Sequence, residues 1–100
     1  MFVNIIEFPQ IRKGKDEEFR KWFEWSNGVY AKFPGFISRK LLKPEKGRYA
    51  AVVEHESKKT FMAMHLSEER NKAWEKVKPL LKGGPKPSFY EAVISSEKKR

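Results

Sequence analysis

The feature that most restricts this chain is a stripe of rings. Phe19, Trp22, Phe23, Ser26, Tyr30 and Phe33 recur every three or four residues. That is the period of one face of an α-helix, with Trp25 and Val29 on its shoulder. So much aromatic surface cannot stay in water and has to pack on a sheet or another helix. Asp16 is placed to cap the start of this helix, and Glu17 and Glu18 fall near its positive end. Asn27-Gly28 weakens it locally, and Pro34-Gly35 ends it.

The segments around the stripe read as strands and a second helical stretch. FVNIIEF (residues 2–8) is a strand. FISRKLL (36–42) and RYAAVVEHE (48–56) are strands joined by the hairpin loop KPEKG. Ser57 can cap a short helix through Phe61 and Met64, and Ser67 can cap or re-cap a longer one through Ala73, Trp74, Val77, Leu80 and Leu81. GGPKP stops it, and SFYEAVIS (88–95) is the last strand. The order is β-α-β-β-α-β. Right-handed crossovers put the helices on one face of a four-stranded antiparallel sheet, an α+β ferredoxin-like fold. Residues 1–95 form a single domain, and 96–100 are a basic C-terminal tail.

Strand parity then raises a problem. Phe2, Ile6 and Phe8 oppose Val3 and Ile5. Tyr49, Ala51 and Val53 oppose Ala50 and Val52. Tyr90, Ala92 and Ile94 oppose Phe89 and Val93. A sheet with one wet face alternates apolar and polar residues, and this one does not. The helices cover only one face. An identical sheet in a twofold homodimer is the simplest cover for the other.

Composition narrows the chemistry. The chain has no cysteine, which removes disulfides, thiolate catalysis and cysteine-based zinc sites. It carries 22 Lys and Arg against 13 Asp and Glu, a formal charge of +9. Such a surface is either a solvated one or one that attracts anions. No apolar run approaches the ~18 residues of a membrane span, and the first residues lack signal-peptide features. The expected location is cytoplasmic, with no membrane partner.

Few residues offer chemistry. Asn4 shares its side of the strand with Phe2, Ile6 and Phe8, so its amide must find a partner or line a pocket. His55, His65, Glu54, Glu56 and Glu69 include the residue types of a mononuclear metal site, but no close His pair fixes two ligands on one face, and no metal is expected. His65 is a candidate acid or base. Trp74 faces the sheet. KGK and KGGPKP lack the spacing of a phosphate-binding loop, and no Ser-His-Asp set can be assigned. MFVNII and KGRYAAVVE echo the contact motifs of RNA-recognition modules, but only Tyr49 stands where stacking aromatics are needed, so nucleic acid is not the expected partner.

The aromatic-rich first helix, the PGF turn at 34–36 and the run VVEHESKKTFMAMHLSEERNKAW (52–74) resemble the antibiotic biosynthesis monooxygenase (ABM) superfamily over nearly the whole chain. The resemblance implies a dimeric α/β barrel. Members of the superfamily oxidise polycyclic phenols without metal or flavin, degrade heme, or have no known activity. In the heme-degrading branch, Asn4 falls on a site Asn, Phe23 on a pocket aromatic, Met64 where a Trp stands, and Trp74 where a His ligates iron. An indole is no iron ligand, so heme is expected only as a ligand or substrate of a second reading. The leading reading is an ABM-type monooxygenase that needs no cofactor and takes a flat hydrophobic aromatic molecule. Asn4 and His65 are its catalytic candidates, with an ordered water as the alternative base. Phe2, Phe23, Met64 and Trp74 are its substrate-binding candidates. The third reading is a non-enzymatic ligand- or RNA-binding module.

Overall fold

A computed structural model describes residues 1–98; of the basic tail, Lys99 and Arg100 lie outside the described residues. The elements are β1 (Phe2–Glu7), α1 (Asp16–Tyr30), β2 (Phe36–Leu42), β3 (Ala50–His55), α2 (Lys58–His65), α3 (Glu68–Val77), a 3-10 turn (Lys78–Leu80) and β4 (Lys86–Glu91). The strands form one antiparallel sheet in the order β2-β3-β1-β4. This is the α+β ferredoxin-like arrangement expected.

The aromatic stripe is the inner face of α1: Phe19, Trp22, Phe23, Ser26 and Tyr30 are all buried. Phe19 meets the edge of Phe8 with ring centroids 5.0 Å apart. The Trp22 indole N–H donates to the Ala73 carbonyl at 2.9 Å, which ties α1 to α3 through a buried bond. Asp16 does not cap the helix. Lys15 holds the cap position, and Asp16 is the first helical residue, where its carboxylate accepts from the Tyr49 hydroxyl at 2.6 Å. The helix stops at Tyr30, before Pro34-Gly35, and Gly35 then turns the chain with φ +85°.

The last strand differs from expectation at both ends. It starts at Lys86 and contains Pro87, which β4 tolerates because it is an edge strand and a proline there withholds no N–H that a neighbour needs. Its pairing ends where the Ala92 N–H meets the Met1 carbonyl at 2.9 Å. Val93 and Ile94, expected inside the strand, extend past the ladder and are exposed.

The helix-facing side of the sheet carries Phe2, Asn4 and Phe8 with Ala51, Val53 and His55, all buried. On the opposite side the register aligns Val3, Ile5, Val52, Ala50, Leu42 and Tyr90 among Glu7, Glu54, Lys40 and Lys86. That face is an apolar centre with a charged margin, more mixed than strand parity alone implies.

Candidate functional site

The wall of the site is set by a break between α2 and α3. Ser57 caps α2 in a reciprocal capping box with Thr60. Ser67 works at both helix ends. Its hydroxyl donates to the Met64 carbonyl at 2.6 Å, at the end of α2, and accepts from the Arg70 N–H at 3.1 Å, at the start of α3. In an unbroken helix His65 and Trp74, nine residues apart, would be about half a turn out of phase. Because the helix is re-set at Ser67, both line one cavity.

That cavity lies between the helices and the sheet and measures about 80 Å³. Its polar side chains are Asn4, Tyr30, Arg39, His65 and Arg70; Met64, Phe61, Val53 and Trp74 supply apolar wall. Four of the six residues expected at the site therefore meet here: Asn4, Met64, His65 and Trp74. The other two do not line it. Phe23 is buried behind it against Phe8 and Trp22. Phe2 lines a separate cavity of about 380 Å³, which reaches His65 from the other side along with Phe89 and Tyr90.

Asn4 is 2% exposed, and its amide donates to the Ser88 carbonyl of β4 at 3.1 Å. One amide hydrogen is left for the cavity. The His65 ring stacks on Phe61, and burial, with the Arg70 cation adding to it, holds its pKa below the usual histidine value. The imidazole is thus neutral near pH 7 and able to accept a proton. Burial pushes the Tyr30 phenol up, while the cations of Arg39 and Arg70 oppose that shift. Arg70 lies over the Trp74 ring, 5.7 Å from its centroid, and both side chains are half-buried.

Arg39 and Arg70 went unnoticed in the sequence. Arg39 has a legible signal: it shares the buried parity of β2 with Leu41, the same anomaly that singles out Asn4 in β1. Its Nη1 donates to the Phe23 carbonyl, Ser26 Oγ and Asn27 Oδ1 at 3.2, 2.8 and 2.7 Å. The guanidinium lies 3.8 Å from the Phe23 centroid and 4.5 Å from that of Tyr30. No carboxylate pairs with it among the described residues, and burial lowers its pKa to about 10.

His55 belongs to a different environment. It is fully buried, edge-on to Phe36 and Phe61. Its Nδ1 lies 3.1 Å from Thr60 Oγ1, which already donates to the Ser57 carbonyl. His55 is therefore the donor, and Nε2 is left buried with no partner among the described residues. Glu54 points to the other side of the sheet and accepts from Ser38 at 2.7 Å. Among the described residues no three His, Cys, Asp or Glu come together as a metal site.

Heme does not fit these residues. Trp74 stands where the resemblance places the iron ligand, and an indole has no lone pair to give to iron. Tyr49, on which a base-stacking surface would depend, is buried and hydrogen-bonded to Asp16. Among the described residues no helix is long and apolar enough to cross a membrane.

No protein-family profile matches the chain, and no curated protein does. Solved structures do. SnoaB, a cofactor-independent oxygenase from Streptomyces nogalater, superposes with a TM-score of 0.75 at 17% identity, covering 94% of this chain and 92% of its own. An antibiotic biosynthesis monooxygenase superposes with a TM-score of 0.79 at 11% identity, covering 94% and 100%. Rv0793 from Mycobacterium tuberculosis gives 0.80 at 13% identity, covering 97% and 100%. The chain has the ABM fold. At these identities the likeness is one of backbone, and the ABM fold leaves the chemistry to the side chains described above.

Proposed function

We propose that the chain is a small monooxygenase that needs no cofactor and oxidises a hydroxylated aromatic ring in the Asn4–His65–Trp74 cavity. One observation carries this reading: a neutral, partly buried imidazole shares an apolar cavity with a buried amide and an indole wall. The ABM fold supports it, since SnoaB is a cofactor-independent oxygenase.

In this reading His65 takes the phenolic proton. The resulting anion passes one electron to O2, and the ring radical and superoxide combine to form a C–O bond. The peroxide anion takes a proton back from His65 and loses water, leaving a quinone. One oxygen atom enters the product, and the other leaves as water with the two hydrogens removed. The free amide hydrogen of Asn4 stabilises the developing oxyanion, and the aromatic walls exclude water.

The cavity sets a size limit. An apolar cavity that admits benzene measures about 150 Å³, and this one is about 80 Å³. A ring can be held only if the half-buried pair Arg70 and Trp74 gives way outward, so single-ring substrates are favoured over extended ones. The homodimer belongs to the same proposal: the apolar centre of the open sheet face packs against its copy in a second chain.

The test is oxygen uptake with a panel of hydroquinones and naphthols. The expected result is one O2 consumed per substrate, lowered about 10²- to 10³-fold in Asn4→Ala and His65→Gln. Absence of uptake across the panel would overturn the reading.

A further inference from the structure

Arg39 is a largely buried cation with no carboxylate partner among the described residues. Burying a charge without a counter-ion is costly, and the three neutral acceptors on Nη1 offset only part of that cost. Those acceptors use one nitrogen. Nε and Nη2 donate to nothing among the described residues. Neither is sealed from solvent: among the described residues the one sealed side-chain nitrogen or oxygen without a partner is His55 Nε2. Arg39 lines the cavity. Its plane is held by Phe23 and Tyr30 and its Nη1 by α1, which leaves Nε and Nη2 as an unused, paired donor edge.

A second cation, Arg70, lines the same cavity, and none of the residues lining it is Asp or Glu. A paired, planar donor edge fits a carboxylate better than a single oxygen, because both N–H groups can be used at once.

We propose that the ligand of this site is an aromatic carboxylic acid, bound as its anion with the carboxylate on the Nε–Nη2 edge of Arg39 and the ring toward Trp74. This deepens the monooxygenase reading and rests on its cavity, but it concerns binding and is tested without oxygen. Arg70 adds attraction from the rim. Arg39 selects the anion and is a specificity residue, with no part in proton or electron transfer.

The experiment is titration calorimetry under nitrogen with salicylate against salicylamide and benzoate against benzamide, at 0.15 M salt. The expected result is saturable binding of each acid at least tenfold tighter than its amide. Arg39→Gln should abolish that preference, whereas Lys21→Gln, on the exposed side of α1, should keep it. Should Arg39→Gln fail to fold, the acid-to-amide ratio of the unaltered protein still decides. Acid and amide binding within twofold of each other, or no saturable binding by either acid, overturns the proposal. Tight acid binding with no oxygen uptake would sink the oxidation chemistry and leave this assignment standing.

Discussion

His65 lies face to face with Phe61, ring centroids 5.4 Å apart and planes inclined by 18°. The stack removes water from one side of the imidazole, and the Arg70 cation discourages a positive charge beside it. In the proposed reaction the base must be neutral. The acid limb of kcat/KM is therefore expected below pH 6.5, the ordinary histidine value. Arg70→Gln should move that limb upward. A pH–rate profile with the inflection above 6.5 would rule His65 out as the base.

Both histidines also link stability to pH. Burial is the main reason that each has a pKa below its unfolded value. The unfolded chain then binds more protons than the folded one once the pH drops below about 6.5, so stability is full above that pH and is lost as the pH falls through the folded values. Thermal melts from pH 8 to pH 5 should show a falling Tm. His55→Phe, which removes the buried orphan Nε2, should flatten the fall. A Tm that rises on acidification would contradict this.

Two glycines should respond in opposite directions to the same substitution. Gly35 has φ +85°, and an added methyl would collide with the Thr60 side chain. Gly35→Ala should cost about 3 kcal/mol from backbone strain and overpacking together. For a domain of this size that lowers Tm by more than ~10 °C. Gly28 lies inside α1 with open space where a Cβ would go. Gly28→Ala should stabilise by roughly 0.5–1 kcal/mol. Calorimetric melts of the two variants check both signs.

The open sheet face predicts the oligomeric state. Val52 and Ile5 are neighbours across β3 and β1 at its centre. Val52→Lys should convert a dimer into the 11.8 kDa protomer in sedimentation equilibrium. A protomer that is already stable alone at micromolar concentration would refute the face-to-face dimer.

Fold and site were not equally readable from the sequence. The stripe from Phe19 to Tyr30 specifies its helix because burial repeats with the helical period, and Ser57 and Ser67 announce their helices through capping chemistry. The end of β4 was not readable: Ala92, Val93 and Ile94 have strand propensity, and only the register with β1 shows where pairing stops. At the site, Asn4 and Arg39 could be recognised as polar residues in buried rows. Arg70 gave no such sign, since a charge in a helix rich in Glu and Lys looks like surface. Met64, His65 and Trp74 come together only through the re-phasing at Ser67, and periodicity carried across that residue puts His65 and Trp74 on opposite sides.

The Thr60 hydroxyl gathers three parts of the chain: Ser57 at the base of α2, His55 at the end of β3, and Gly35 packed against its side chain. This clamp anchors the first turn of α2 to two strand ends. Leu66, at the opposite end of α2, is 70% exposed and little restrained by packing. A substitution at Thr60 would disturb the cap of α2 and both strand ends together.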